Sequence, residues 1–331
     1  MIKQKSKQDR YNSPVKAIFT GISDLFKKSS DSLSLGIDDR LDGKKVLITG
    51  SSSGLGFATA LEVARRGAHV IMAVRSGIPD KGENVKKKSE SEKVDMIKLD
   101  LSDLQSLRNT AKEVKQRFGK IDILICNAAM VASKSRPVAL ELDEMFVVNY
   151  FSKFLMINYL LEKDCLNTVG DSLPRIIIVA SESHRNADKI EWESFGSYMP
   201  YGTNKSVFMY GYYKLLLLTL VNELSRRLNS GEQTPISVHS LCPGPVNSNI
   251  AREAPKLFQP LLKLVFRIFF RSPEKASKPV IYLAASSDIE GQTGKYLFLM
   301  NEKAMDEKAT DKENGKRLWE LSEELRKKHK L

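Results

Sequence analysis

The sequence predicts an α/β fold built on a doubly wound parallel sheet, and three observations carry that expectation. Short apolar, β-branched runs alternate along the chain with longer segments of helical periodicity. A glycine-rich turn, Thr49 to Gly56, joins the first such run to the first helical segment. The polar residues that interrupt the pattern cluster just after the apolar runs, at the carboxyl ends of the expected strands, where open α/β sheets hold their ligands.

Val46, Leu47 and Ile48 form a run short enough to be a buried parallel strand, and the Thr49-Gly50-Ser51-Ser52-Ser53-Gly54 turn has the residues a tight strand-to-helix connection demands. The helix that follows is expected from about Leu55 to Arg66, stopping at Gly67. Gly50, Gly54 and Gly56 allow close backbone approach of a ligand, while the first amides of the helix point outward with the positive end of its dipole behind them. That combination suits a pyrophosphate. The second strand, His69 to Val74, ends at Arg75-Ser76 without an acid. An acid there would bind a ribose 2′-hydroxyl, whereas an arginine accepts a 2′-phosphate, so the cofactor expected is NADP(H) and not NAD.

Residues 77–93 read as a charged loop or short helix, and Val94 to Leu99 as a third strand ending at Asp100-Leu101. Asp100 is placed either to receive an adenine amino group or to cap a turn. Ser102 to Phe118 has amphipathic helical spacing, and Ile121 to Cys126 reads as the fourth strand, closing with Asn127-Ala128-Ala129. Glu141 to Lys163 is a long helical pattern that carries Asn149 within an apolar stretch. A buried asparagine must find partners, so Asn149 is either a structural bridge or a polar group serving a site. Ile176 to Ala180 is the fifth strand, followed by Ser181-Glu182-Ser183-His184; Ile236 to Leu241 is the sixth, running into Cys242-Pro243-Gly244-Pro245-Val246, and Tyr296 to Leu299 the last.

Composition narrows the functional class. The chain has 331 residues, 42% of them hydrophobic, enough for a large core. Three scattered cysteines fit a reducing compartment, and four dispersed histidines show no metal-ligand spacing. The net charge of +12 is spread over the amino end, residues 256–278 and residues 326–330, with no basic stripe interleaved with aromatics. No nucleic-acid partner is expected; the distribution suits an anionic membrane surface, or simply a solvated exterior. The amino end lacks the apolar core of a secretion signal and no run reaches the length of a membrane span, so a cytoplasmic location is expected. Residues 13–28 read as an amphipathic helix that packs on the domain or anchors peripherally to a membrane. Three segments follow: a helical amino-terminal extension (1–40), the sheet domain (41–303) and a charged carboxyl-terminal helix (304–331) that packs on the domain or on a second subunit.

Two Tyr-x-x-x-Lys pairs, Tyr201/Lys205 and Tyr210/Lys214, have the spacing that puts an ammonium beside a phenol on one helix face. Tyr201 lies among turn formers, whereas Tyr210 opens the apolar run Lys214 to Leu224, so Tyr210 and Lys214 are the catalytic candidates. With these motifs in order, the chain from Leu41 to Leu299 resembles a short-chain dehydrogenase/reductase, and within it the retinol-dehydrogenase-like branch related to light-dependent protochlorophyllide reductase. The resemblance implies a Rossmann fold and a hydride exchange with NADPH. It implies that Tyr210 is the general acid/base, that Lys214 lowers the phenol pKa and holds the nicotinamide ribose, that Ser181 binds the substrate oxygen, and that Asn149 holds a relay water. Gly50, Ser52, Gly54, Leu55, Gly56, Arg75, Asp100, Leu101, Asn127 and the loop containing Pro243, Gly244, Val246 and Ser248 would surround the cofactor. Cys126 and Ala129 stand where the family usually has Asn and Gly, and Ala180 where it often has Ser, without removing a catalytic group.

In the family, residues 256–272 lid the substrate pocket; here KLFQPLLKLVFRIFFRS is apolar almost all round, as a buried lid, a homodimer surface or a membrane-lying lid would be. The function expected is interconversion of a lipophilic ketone or aldehyde with its alcohol. The alternatives are a light-dependent protochlorophyllide-type reductase, and a non-catalytic NADP-binding sensor or scaffold.

Overall fold

Burial on both faces of the sheet explains why its strands read as unbroken apolar runs. In the computed structural model, which describes residues 33–169, 172–229, 236–246 and 271–331, β1 (Lys45–Thr49), β2 (His69–Val74), β3 (Val94–Lys98), β4 (Ile123–Cys126), β5 (Arg175–Val179), β6 (Ser237–Cys242), β7 (Tyr296–Phe298) and β8 (Asn301–Glu302) form one sheet in the order β3-β2-β1-β4-β5-β6-β7-β8. All neighbours are parallel except β8, which turns back antiparallel on β7. The expected doubly wound parallel sheet is therefore the one observed. The strand order reverses between β1 and β4, which opens a crevice at their carboxyl ends beside the glycine turn.

The period of two along each strand divides the core. Leu47, Ile71, Leu124 and Ile178 face one apolar cluster, and Val46, Ile48, Val70 and Ile177 face the other. The second face is covered by α1 (Gly54–Arg65), α2 (Asp80–Ser89) and α6 (Pro273–Ala285), which contribute Val63, Val85 and Val280. The first is covered by α3 (Leu104–Phe118), α4 (Ser152–Glu162) and α5 (Thr203–Leu228), with Leu107, Phe154 and Leu216 among the residues that face it. Each burial of such a side chain stabilises the fold by about 1.5–3 kcal/mol.

Two segments differ in detail from expectation. The pattern from Glu141 to Lys163 is interrupted: a helical turn at Glu144–Phe146 passes into a π-helical turn, Val147–Phe151, before α4 begins. Apolar periodicity does not distinguish a single i→i+5 turn from α-helix, because the buried face is the same. The terminal segment is a short turn, Glu307–Thr310, followed by α7 (Lys312–Lys328). It packs on the first face of this same chain: Leu318 and Leu325 join that core, the Trp319 ring meets Phe154 edge-on at 5.2 Å, and the Tyr150 hydroxyl donates to Ser322 Oγ at 2.6 Å. The three cysteines are free and buried. No described helix is long and apolar enough to cross a membrane. The 13–28 helix, Ser248, and residues 256–270 of the apolar lid lie outside the described residues.

Candidate active site

The glycine turn is held by side chains from the next strand over. Asn127, just past β4, donates from Nδ2 to the carbonyls of Thr49 (3.0 Å) and Gly50 (3.1 Å), and its backbone N–H donates to Thr49 Oγ1 at 3.1 Å. Gly50 has φ +67, and a Cβ there would lie 2.7 Å from the Ala128 Cβ; a Cβ at Gly56 would lie 2.4 Å from both Asn127 Nδ2 and the Gly50 oxygen. Two of the three glycines expected to make room for a ligand thus also serve the close packing of the turn on β4. Gly54 has φ +55 and starts α1. Ser53 at the helix N-cap accepts no side-chain hydrogen bond and the first turn of α1 carries no acid, whereas Asp103 and Asp311 cap α3 and α7. Ser52 and Leu55 sit in that turn, Leu55 buried. The start of α1 is therefore electrostatically open to an anion.

Around this turn, Arg75 is exposed at the carboxyl end of β2, with no acidic neighbour in sequence until Asp80. Asp100 takes the turn role: its Oδ1 accepts the Ser102 N–H (2.9 Å) and hydroxyl (2.6 Å). Leu101 is a core residue. Pro243 and Gly244 follow β6, and Val246 makes a parallel bridge to Arg271.

Tyr210 and Lys214 lie one turn apart within α5, while Tyr201 precedes that helix. Tyr201 is buried and donates its hydroxyl to Asp143 Oδ1 at 3.2 Å, and Lys205 is exposed, so the competing pair shares no helix face. Tyr210 instead lies within reach of Ser181, which follows β5 and whose Oγ accepts the Ser183 hydroxyl at 2.9 Å. Gly211 makes that approach close: a Cβ there would stand 2.5 Å from the Ser183 oxygen. The Lys214 Nζ donates to the Val179 oxygen at 2.9 Å and stands 5.6 Å from the Tyr210 ring centroid.

Burial lowers Lys214 to about 8. Burial, reinforced by Cys242, pushes the Tyr210 phenol above its ordinary value, against the Ser181 hydrogen bond. The protein alone thus acts opposite to the lowering expected of Lys214, whose ammonium lies over the ring and donates to a backbone carbonyl.

Asn149 is fully buried in the π-turn, and both of its amide atoms are used: Oδ1 accepts the Met130 N–H (2.9 Å) and Nδ2 donates to the Met130 oxygen (2.8 Å). Of its two expected roles, the structural bridge is the one its side chain performs here, fastening the chain after β4 to the helix. Sequence reasoning did not single out Lys153. It is buried, its Nζ donates to the Val148 oxygen, and burial together with the charge of Lys214 lowers it to about 7. A lysine inside the apolar run VVNYFSKFLM was the available signal.

Residues 44–257 match the family model described as short chain dehydrogenase. Among curated proteins, retinol dehydrogenase 14 from Mus musculus is 34% identical over 299 residues, covering 86% of each chain. Among solved structures, an uncharacterized protein from Mycobacterium paratuberculosis superposes with a TM-score of 0.67 at 26% identity, covering 90% of this chain and 98% of that one. A short chain dehydrogenase from Escherichia coli, solved with NADPH, shares the fold with a TM-score of 0.61 at 17% identity over 80% of this chain and 100% of its own.

Proposed function

Because the chain belongs to the short-chain dehydrogenase family, and so is an NAD(P)-dependent oxidoreductase of alcohol and carbonyl groups, we propose that it uses NADP(H) to reduce a lipophilic ketone or aldehyde to its alcohol. The observation that carries the reading is the convergence, at the carboxyl end of β5, of Tyr210 near Ser181 with the buried Lys214, whose Nζ donates to the Val179 oxygen and stands 5.6 Å from the Tyr210 ring centroid.

The residues present fit the cofactor. The uncapped start of α1 suits a pyrophosphate, and the exposed Arg75, just past the strand next to β1, suits a 2′-phosphate. When bound, the nicotinamide supplies the hydride. The rest falls to the chain itself. Ser181 Oγ orients the substrate oxygen, and the Tyr210 hydroxyl gives it a proton. A group held in that way contributes about a hundred- to ten-thousand-fold in rate. Lys214 has one protein acceptor among the described residues and two N–H bonds left to hold a ribose and to pass on a proton. The Asn149 side chain is committed to Met130, so a relay water is better held by a backbone carbonyl of the π-turn than by the amide.

The lipophilic part rests on the retinol dehydrogenase relatives and on exposed Leu140, Met199 and Phe208. Phe208 lies two positions before Tyr210, and the segments carrying Leu140 and Met199 are joined through Ser135, whose N–H donates to the Tyr201 oxygen at 3.0 Å and whose hydroxyl pairs with Tyr198 at 3.1 Å. Contact with a membrane surface in the cytoplasm belongs to the same proposal.

Fluorescence titration with NADPH and NADH tests the cofactor. Arg75→Asp is expected to weaken NADPH about ten- to a hundred-fold, the loss of a charge-assisted bond, without weakening NADH. Binding of neither nucleotide would overturn the reading, as would undiminished turnover in Tyr210→Phe. Activity confined to small polar carbonyls would remove its lipophilic part.

A further inference from the structure

The imidazole of His184 is completely buried three residues after Ser181, and both of its nitrogens are engaged. Nδ1 lies 2.7 Å from the Ser181 carbonyl oxygen, and Nε2 lies 3.1 Å from the backbone nitrogen of Asp306. A carbonyl only accepts and a backbone N–H only donates, so these partners select one form of the ring: neutral, with the proton on Nδ1. The other tautomer would set lone pair against lone pair at Ser181 and N–H against N–H at Asp306.

We propose that His184 is a positioning residue for Ser181, a neutral strut that fixes the backbone of the substrate-binding serine against the carboxyl-terminal segment. The proposal rests on the reading of Ser181 given above. The Ser181 carbonyl already accepts the His184 backbone N–H at 3.2 Å, so the imidazole is not needed to satisfy it. What the second bond adds is direction. The strut does not stand alone: Glu182 accepts the Tyr296 hydroxyl at 2.7 Å and the Lys303 ammonium, and Arg185 donates to the Ala304 oxygen at 2.5 Å. The Tyr296 ring meets the imidazole edge-on at 5.7 Å. Glu182, His184 and Arg185 thus all fasten the turn after β5 to residues 296–306. Burial, with the charge of Arg185 beside it, holds the imidazole neutral against Glu182 and Asp306.

Two measurements on the full chain test this. In long-range nitrogen–proton spectra of labelled protein near pH 7, His184 is expected as the Nδ1–H tautomer; an Nε2–H ring or an imidazolium overturns the proposal. Kinetics with NADPH and decanal then separate positioning from packing, because asparagine places an N–H where Nδ1 sits, and glutamine places its amide where Nε2 sits. His184→Asn is expected to keep kcat within about three-fold, while His184→Gln loses roughly ten-fold, one ordinary hydrogen bond, with KM for NADPH unchanged. In a Ser181→Ala background the His184→Gln loss is expected to disappear. Equal losses in the two variants, or an undiminished loss without the serine hydroxyl, would overturn the strut. Full activity of Ser181→Ala alone would instead overturn the role of Ser181, and is distinguishable because His184 is intact in that variant.

Discussion

Gly56→Ala tests whether the glycine turn is defined by packing as well as by what it binds. The added methyl would stand 2.4 Å from Asn127 Nδ2, 2.4 Å from the Gly50 oxygen and 3.0 Å from the Gly50 carbonyl carbon. The Asn127 amide can swing away, but only by releasing its bonds to the Thr49 and Gly50 carbonyls, each contributing about 0.5–1.5 kcal/mol. The Gly50 oxygen is backbone and must retreat by roughly an ångström, an overpacking cost of about 1–3 kcal/mol. Alanine regains at most about 1 kcal/mol of helix propensity. The clash therefore wins, by about 1–5 kcal/mol. Urea unfolding followed by tryptophan fluorescence, with Trp192 and Trp319 as reporters, reads the difference directly. An unchanged or raised midpoint would refute the packing argument.

Acid sensitivity and the carboxyl-terminal contact supply two further tests. Burial holds both His184 and His239 down to about 4 from an ordinary 6.5. The unfolded chain therefore binds more protons between those values, and stability falls as pH drops from about 6.5 toward 4, by roughly 3 kcal/mol for each ring. His239→Phe is expected to flatten the slope of urea midpoint against pH by about half; a slope unchanged from the parent would contradict it. Ser322→Ala leaves the buried Tyr150 hydroxyl without the acceptor it has at 2.6 Å and is expected to cost about 1–3 kcal/mol. Tyr150→Phe in the same chain restores most of the loss, and failure to do so in thermal melts would show that the contact contributes little.

Strands were legible where burial on both faces left only apolar, mostly β-branched side chains, as in Val46 to Ile48 and Ile176 to Ile178. β8 was not, because two residues carry no period and its pairing with β7 is set by the turn at Leu299-Met300. α6 hides its periodicity behind Pro279, buried within the helix. In the candidate site, the spacing of Tyr210 and Lys214 could be read because both lie within one helix. The duties of Asn127 and His184 could not: each depends on backbone groups 77 and 122 residues away, brought near only by the fold. Asn149 was recognisable as a buried amide in need of partners, but which partners it had was a tertiary fact. The glycines of the turn were read for ligand approach, and their equally tight approach to Asn127 and Ala128 required the neighbouring strand.

The length of α5 has a consequence for motion. Its 26 residues span about 39 Å at the ordinary helical rise, and every residue from Gly211 to Val221 is buried. Lys214 thus sits within the fully buried middle of that rod, with Tyr210 just before the buried stretch begins. Amide protons along that stretch should exchange with solvent only through global unfolding, which places the candidate residues Tyr210 and Lys214 in the most slowly opening unit of the chain. Among the described residues, the exposed Leu140 and Met199 sit on segments that are not part of that rod and can move without it. Changes there can reshape what the enzyme accepts while leaving the placement of Tyr210 and Lys214 untouched.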